Sequence, residues 1–299
     1  MRRLLAYLLP LGLFLPACAG VGTPPVIYLA RHGQSPWNRV GRVQGDPGLD
    51  AVGYVNRAQL WYLLKDEPIA AVYTSGLRRT ILTAELVARQ HKLPIQPRPV
   101  LNEIDTGLLL GMCYAQINPW EMHAGDEKCE VPARGSRPEE TLKWLRPLVK
   151  DLRGHRLDGK APLGESYLDM AVRTQKFVDE LRAGWQSRPV LVVGHGVVNR
   201  ILLHQLLGWP LANVSKIRQE NDQVYKIEGA DTASPTVSLF TPGFGWRRCT
   251  PPSQVGQKQL DCNPGPAKAE SPRPAPAPAT APAPSAPAPA PAAPGTATP

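Results

Sequence analysis

Four short apolar runs constrain the fold of this sequence more than any other feature. They occupy Val26–Ala30, Ala70–Tyr73, Val190–Val193 and Thr236–Phe240. Runs of four or five apolar residues are typical of buried strands and are too short for a buried helix. Gln223–Glu228 has an alternating pattern and is a further candidate strand.

Helical patterns lie between these runs. In the stretch ESYLDMAVRTQKFVDEL, residues 165–181, the apolar side chains recur at helical spacing and share one face. That face carries Tyr167, Met170, Ala171, Phe177, Val178 and Leu181. A second helix follows Ser75 and includes Thr83, Ala84, Leu86 and Val87. Strands that alternate with helices predict a three-layer α/β/α sandwich around a mostly parallel sheet.

Three of the predicted strands end in similar polar residues. These ends carry Arg31-His32-Gly33 after the first run, Ser75 and Arg78-Arg79 after the second, and His195-Gly196 after the third. In open α/β sheets, ligands bind at the carboxyl ends of the strands. Glycine lets the backbone come close to a ligand, and the planar guanidinium group of arginine binds phosphate oxygens. The pattern therefore predicts a phosphate site in which the two histidines converge.

These motifs resemble those of the histidine phosphatase superfamily, also called the phosphoglycerate mutase-like family. RHG at 31–33 is followed by Asn38 at the spacing RHGxSxxN, and GHG supplies His195. TSGLRRTILTAE matches S-x-L-x-R-x-x-x-T-A, which places the catalytic arginine at Arg79. LNEIDTG supplies Glu103, and PLGESYLDMAVR matches a further recurring segment. The likeness covers residues 25–230 and implies a phosphoglycerate mutase-like fold.

Within that family, the chain looks closest to the fructose-2,6-bisphosphatase branch. The segments LNEIDTG, MCYAQI, GESYLDM and TSGLRRTILTAE carry this likeness. The stretch between Ile117 and Gly164 does not follow the pattern of that branch, and this part of the fold usually decides the substrate. We therefore do not carry over the identity of the substrate.

The resemblance implies a mechanism through a phosphohistidine, with His32 as the nucleophile. Arg31, Arg79 and His195 would surround the phosphoryl oxygens, and Glu103 would donate and then accept a proton. Asp105 is the alternative acid on the same segment. The expected substrate-binding residues are Arg31, Asn38, Gln44, Arg79, Glu165, His195 and Gly196.

Two of the expected substrate-binding residues have alternative interpretations. Gln44 could be a turn residue, and Glu165 could be a charge favoured by a helix N-terminus. Because arginines match the phosphate charge, we expect neither a metal ion nor another cofactor.

The first 19 residues resemble a secretory signal, with two arginines, the apolar run Leu4–Leu15 and small residues. That run is shorter than the roughly 20 residues that span a bilayer. Leu15-Pro16-Ala17-Cys18 resembles a bacterial lipobox, in which Cys18 would be acylated. Ala17-Cys18-Ala19 also fits ordinary cleavage, which would remove Cys18. We favour the lipoprotein, and expect a protein of the bacterial cell envelope or periplasm, anchored by lipid.

Four cysteines follow the signal: Cys113, Cys129, Cys249 and Cys262. An even number in an exported protein predicts disulfides, and the simplest of three pairings joins Cys113 to Cys129 and Cys249 to Cys262. No pair has C-x-x-C spacing, so we do not expect a structural metal.

The predicted organisation has four parts: the signal, a catalytic domain at 25–245, a cysteine-containing extension at 246–263 and a Pro/Ala-rich disordered tail at 264–299. Within the domain, the segment Tyr114–Pro162 contains the helix-like piece PEETLKWLRPLVKDL. We predict that this segment is a cap or insertion beside the site.

The formal net charge of +9 suits a small phosphorylated substrate. No basic stripe interleaved with aromatic residues is present, so we do not expect nucleic-acid binding. The membrane is expected as a partner only through the lipid anchor, and the sequence does not specify the oligomeric state.

Three functions fit the sequence. The first is an exported, metal-independent phosphomonoesterase. The second is phosphoryl transfer of the phosphoglycerate mutase type, and the third is a non-catalytic envelope protein that binds a phosphorylated ligand.

Overall fold

A computed structural model describes residues 25–114, 129, 157–184, 188–232, 234–250 and 262. The predicted signal at 1–19 with Cys18, the helix-like piece at 138–152 and the tail at 264–299 lie outside these residues. Of the predicted cap, only Tyr114, Cys129 and residues 157–162 are described.

Seven strands form one sheet in the order β3-β2-β4-β1-β5-β6-β7. The strands are β1 Val26–Arg31, β2 Ala71–Thr74, β3 Ile95–Pro97, β4 Val190–Gly194, β5 Val224–Glu228, β6 Thr236–Thr241 and β7 Gly245–Arg248. The pairs β3–β2, β2–β4 and β4–β1 are parallel. The pairs that add β5, β6 and β7 are antiparallel. The predicted α/β fold is thus confirmed, and its sheet is parallel in the centre.

Helices cover both faces of the sheet. They are α1 Pro36–Arg39, α2 Ala51–Leu64, α3 Arg78–Gln90, α4 Tyr167–Ala183 and α5 Gly196–Leu207. Side chains of β1 alternate between the faces because successive residues of a strand point in opposite directions. Ile27 and Leu29 pack in the core under α4 and α5, whereas Tyr28 and Ala30 pack in the core under α2 and α3.

On one face, α4 coincides with the helical pattern seen in the sequence, and α5 begins directly after His195. Ser166 caps α4 by a reciprocal pair of hydrogen bonds with Asp169. Helix α5 ends at Gly208, which has a left-handed conformation with φ of 64°. Both helices bury their apolar stripes in one core, so the turns at their N-termini are held at fixed positions.

Three elements were not predicted from the sequence: α2, β3 and β7. Strand β3 has only three residues and ends in Pro97. Helix α2 contains Gly53, a residue that disfavours helices. Strand β7 pairs with β6 from Gly245 to Arg248, so the sheet continues past the predicted domain boundary at 245.

The structure pairs the cysteines in two disulfides. One joins Cys113 to Cys129 and the other joins Cys249 to Cys262. Cys249 lies immediately after β7, and Cys113 forms an isolated β-bridge with Arg42. Within the described residues, no helix is both long enough and apolar enough to span a membrane.

Candidate active site

Strand register brings the two histidines together. Arg31 of β1 lies opposite Gly194 of β4 in the parallel pair. His32 and His195 are each the next residue of the chain, and their ring centroids lie 5.1 Å apart. Both rings are buried, with 1% and 0% of each residue exposed. The convergence predicted from the strand ends is therefore present in the fold.

His32 has a defined tautomer. Its Nδ1 lies 2.8 Å from the carbonyl oxygen of Gly33. A carbonyl accepts only, so Nδ1 carries the proton and Nε2 keeps its lone pair. Burial, followed by the charges of Arg79 and Arg31, lowers the pKa of His32 well below its ordinary value. The ring is thus neutral over a wide pH range, with the lone pair of Nε2 available.

His195 is oriented by a chain of hydroxyl groups. Its Nε2 lies 2.8 Å from Oγ of Ser75, and that oxygen lies 2.8 Å from Oγ1 of Thr80. The hydroxyl of Thr80 donates to the carbonyl oxygen of Leu77 at 2.7 Å. Ser75 then donates to Thr80, so Ser75 accepts the proton of His195 Nε2.

The other nitrogen of His195 is left for a ligand. Nδ1 is buried and has no hydrogen-bond partner among the described residues. Burial, followed by the charges of Arg79, His32 and Arg31, lowers the pKa of His195 well below its ordinary value. A phosphoryl oxygen beside Nδ1 would favour the doubly protonated ring, which can donate a hydrogen bond to that oxygen.

Two arginines supply positive charge. Arg79 has 0% of its surface exposed, and its Nη1 donates to the carbonyl oxygen of Gly45 at 2.6 Å. Arg31 donates through Nη1 to the carbonyl oxygen of Gln219 at 2.8 Å. The Nε atoms of both arginines are buried without a partner among the described residues. These orphaned donors suit an anion.

Burial changes the proton affinity of both guanidinium groups. It lowers the pKa of Arg79 to about 10, although Glu103 and Asp46 oppose the shift. It also lowers the pKa of Arg31, where Glu103 and Glu220 oppose and Arg200 contributes to the shift. Both groups remain cationic at neutral pH but are poorly solvated.

Glu103 lies at the N-terminus of α5. Its carboxylate accepts hydrogen bonds from the backbone N–H groups of Val197, at 3.2 Å to each oxygen, and of Val198, at 3.3 Å. A β-carbon added at Gly196 would lie 3.7 Å from both the Glu103 carboxylate and the Arg31 guanidinium carbon. The space beside Gly196 therefore adjoins an acid and a phosphate-binding cation. Asp105, the alternative acid, is exposed and accepts a hydrogen bond from the N–H of Gly107.

Asn38 and Gln44 are joined through Ser35. Ser35 is fully buried, and its hydroxyl contacts Oδ1 of Asn38 at 3.2 Å and Oε1 of Gln44 at 2.8 Å. Ser35 and Asn38 also form the capping box of α1. The amide oxygens of both predicted substrate contacts are thus engaged by Ser35, two residues after the catalytic turn.

Glu165 does not join this cluster through its own carboxylate. Its Oε1 and Oε2 accept hydrogen bonds from Arg173 at 2.7 and 2.9 Å. Oε2 also accepts from the N–H of Asp105 at 3.0 Å. Glu165 therefore binds the loop that carries Glu103, rather than presenting its carboxylate to the phosphate-binding residues.

Gly33 is required by close packing of the backbone. A β-carbon at Gly33 would lie 2.6 Å from the carbonyl oxygen of Gly53, and one at Gly53 would lie 2.1 Å from that of Gln34. Helix α2 therefore lies directly against the turn that holds His32. The N–H of Gly33 donates to Oγ1 of Thr83 in α3 at 2.9 Å, which fixes the turn from a second side.

Three residues of the site were not predicted from the sequence: Ser35, Arg173 and Arg200. The capping pattern Ser-x-x-Asn is a sequence signal for Ser35. Arg200 follows His195 by five residues and belongs to none of the motifs. Its effect on Arg31 is evident only from the position of α5 in the fold.

The described residues also contain no group of three or more His, Cys, Asp or Glu side chains placed to hold a metal ion.

Comparison with known proteins adds a family match. The sequence profile of the histidine phosphatase superfamily (branch 1) matches residues 27–156 and 121–240. A protein of Proteus mirabilis named probable phosphoglycerate mutase GpmB is 29% identical over 205 residues, which cover 68% of this chain and 84% of that protein.

Two further proteins are similar. The rat 6-phosphofructo-2-kinase/fructose-2,6-bisphosphatase 4 is 34% identical over 187 residues, which span 62% of this chain but only 33% of the bifunctional protein. The solved structure of a mycobacterial glucosyl-3-phosphoglycerate phosphatase in complex with VO3 is similar with a TM-score of 0.52 and 26% identity. That similarity covers 75% of this chain and 96% of the other.

Proposed function

The chain belongs to the histidine phosphatase superfamily, and from this premise we propose that it hydrolyses small phosphomonoesters through a phosphohistidine at His32. One observation carries the proposal. The hydrogen bond from Nδ1 to Gly33 and the lowered pKa give a neutral ring with its lone pair on Nε2. Arg31 and Arg79 lie close enough to this ring to perturb its pKa, as a site for phosphoryl transfer requires.

The first half of the reaction transfers the phosphoryl group to His32. Nε2 forms a bond to phosphorus while the bond from phosphorus to the ester oxygen breaks. Arg31, Arg79 and protonated His195 hold the negative charge of the three equatorial oxygens. Glu103, in its protonated form, gives its proton to the leaving oxygen, so the alcohol departs neutral.

The second half hydrolyses the phosphoenzyme. Glu103 is ionised after the first half and accepts a proton from a water molecule as that water attacks phosphorus. The nitrogen–phosphorus bond breaks, and inorganic phosphate and free His32 result. One carboxyl group thus serves both halves, because each half reverses the proton change of the other.

The test compares wild type with His32→Ala on a panel of phosphomonoesters, including sugar and glycerate phosphates, with chelator and no added metal. We expect phosphate release and an acid-labile phosphoenzyme only when His32 is present. His91→Ala is the matched control, since His91 follows the end of α3 and contacts the carbonyl oxygen of Leu64 at the end of α2. Activity that survives in His32→Ala contradicts the mechanism. A wild type that forms no phosphoenzyme would favour the non-catalytic alternative.

The pH profile extends the same test. Because burial and two arginines lower the pKa of His32, the ring stays neutral below the ordinary histidine range. Wild-type kcat/KM should therefore persist as the pH falls below about 6.5. A decline in kcat/KM with a midpoint at or above about pH 6.5 would contradict the lowered pKa of His32.

A mutase is the second candidate, because the similar Proteus mirabilis protein bears that name. A mutase returns the phosphoryl group to a rebound product instead of transferring it to water. With 3-phosphoglycerate as substrate, a hydrolase releases phosphate. If the protein instead forms an isomer of 3-phosphoglycerate and releases no inorganic phosphate, it is a mutase and not a hydrolase.

The location of the activity is also a proposal. The arrangement of residues 1–19 supports export, and Cys18 at the end of a lipobox-like motif supports a lipid anchor. The enzyme would then act on phosphoesters in the periplasm.

A further inference from the structure

Arg173 of α4 has all its donor atoms engaged around the loop that precedes Glu103. Its Nη1 donates to the carbonyl oxygen of Val100, and its Nη2 donates to those of Asn102 at 2.8 Å and Glu103 at 3.2 Å. Its Nε and Nη2 also bind Glu165. A planar guanidinium group can bridge several acceptors in this way, and an ammonium group cannot.

Glu165 holds the same loop from its other end. The carboxylate of Glu165 accepts a hydrogen bond from the N–H of Asp105, and the N–H of Glu165 donates to the carbonyl oxygen of Asp105 at 2.8 Å. Burial opposes ionisation, but the contacts with Arg173 and Asp105 outweigh it and lower the pKa of Glu165. The pair therefore stays ionised and is held by several hydrogen bonds at once.

The backbone close to Glu165 leaves little freedom for the loop. A β-carbon at Gly164 would lie 2.7 Å from the carbonyl oxygen of Asp105. The N–H of Leu108 donates to the carbonyl oxygen of Pro162 at 3.1 Å. Residues 162–164 and 105–108 are thus in contact next to the Glu165 hydrogen bonds.

Glu103 lies between these fixed points. Its carbonyl oxygen is bound by Arg173, while its side chain reaches the N–H groups at the start of α5. The side chains of Glu165 and Arg173 form hydrogen bonds with each other and with the loop that carries Glu103. They therefore determine where the Glu103 backbone lies. A displacement of about 1 Å in a catalytic group can cost on the order of 100-fold in rate.

We propose that Glu165 and Arg173 are positioning residues for the proton transfer by Glu103. This inference rests on the proposed phosphatase function. It predicts a dependence on the leaving group, because an alkoxide needs a proton when it departs, whereas p-nitrophenolate leaves readily without one. A purely structural role, or a role in phosphate binding, would affect both kinds of ester alike.

The experiment measures kcat/KM of Glu165→Gln for an alkyl phosphate and for p-nitrophenyl phosphate. This ratio reports the steps up to departure of the leaving group and excludes the later hydrolysis. We expect a loss of about 10- to 100-fold for the alkyl ester and of less than about threefold for the aryl ester. Glu165→Gln is preferred because Arg173 also contributes to the field at His195.

A matched control exists on the same helix. Glu180 of α4 forms an ion pair with Arg98, with Nη2 of Arg98 at 2.6 Å from Oε1. This pair also joins α4 to the chain just before the loop, but the hydrogen bonds of its side chains go to residues other than Glu103. Glu180→Gln should leave kcat/KM unchanged for both esters.

The outcomes are distinct. Equal losses for both esters, or no loss for either, overturn the positioning role. A wild type that cleaves neither ester overturns the proposed function instead. If Glu165→Gln does not fold, as judged by thermal unfolding, Arg173→Lys tests the same point, since lysine cannot bridge the carbonyl groups of the loop. A selective loss for the alkyl ester is expected there too.

Discussion

Arg79→Met should yield a protein that is more stable than wild type and nearly inactive. Burial lowers the pKa of the Arg79 guanidinium to about 10, which is more than two pH units below the pKa of an ordinary arginine. Holding the group charged in this site therefore costs on the order of 3 kcal/mol. That pKa already includes the opposing charges of Glu103 and Asp46, and Asp46 reaches Nη1 of Arg79 only at 4.0 Å from a half-exposed position.

The substitution also removes favourable contacts. The hydrogen bond to the carbonyl oxygen of Gly45 is lost, which costs about 1 kcal/mol because this partly exposed oxygen can bind water instead. Methionine keeps most of the packing of the arginine stem. The net gain is about 2 kcal/mol, which corresponds to a rise in Tm of about 4–8 °C for a domain of this size.

Activity should change in the opposite direction. Removing one group that holds transition-state charge typically costs about 10²–10³ in kcat. The assay pairs thermal unfolding in phosphate-free buffer with phosphate release from a phosphomonoester. Added phosphate or vanadate should raise the Tm of wild type by binding the folded state, and should have a much smaller effect on Arg79→Met.

The pH dependence gives an independent check. A cation with a lowered pKa in the folded state reduces stability fully below that pKa, and the cost is relieved as the pH rises through it. The stability advantage of Arg79→Met should therefore shrink above about pH 10. Arg78→Met, at the adjacent exposed position, should change neither stability nor activity appreciably. A lower Tm for Arg79→Met would refute the reasoning, because it would show that the charge is already compensated.

Two further changes test other parts of the site and its location. Ser75→Ala removes the acceptor for Nε2 of His195, so the ring loses its fixed tautomer, and kcat should fall about tenfold with little change in KM. The control is Thr174→Ala, which removes a buried hydroxyl of α4 that donates to Met170 and Gln205 instead. An equal loss of kcat in this control, measured by steady-state kinetics, would contradict the role of Ser75. Cys18→Ser should abolish labelling by a radioactive fatty acid, and a wild type that is never labelled would show ordinary signal cleavage.

The convergence of the two histidines could be predicted from the sequence because each follows the end of a strand. Each apolar run specifies a buried strand, and parallel strands bring their carboxyl ends to one edge of the sheet. The pairing of Arg31 with Gly194 then places the two histidines side by side. No knowledge of the helices is needed for this step.

The role of Glu165 could not be read in the same way. Its position before α4 suggested either a pocket residue or a charge at a helix N-terminus. The contact that engages it joins residues 60 positions apart in the sequence, through a loop with no periodic pattern. Helix α2 was missed for a related reason, since Gly53 disfavours a helix locally but is needed where α2 meets the His32 turn.

The charges and unpaired donors around the two histidines support the proposal that the ligand is a phosphate dianion. Arg79 is buried and Arg31 is half-buried, and the Nε donors of both are buried without a partner among the described residues. Burial and the charges of these two arginines also lower the pKa of both histidines. Glu103 is the acid beside Arg31, and it neutralises only part of this charge. A phosphoryl group would bind the orphaned donors, offset the charge of the cations and favour protonation of His195. The free energy that the fold loses by burying these arginines is thus regained when the substrate binds, which is how a site prepared in advance stabilises charge without reorganising.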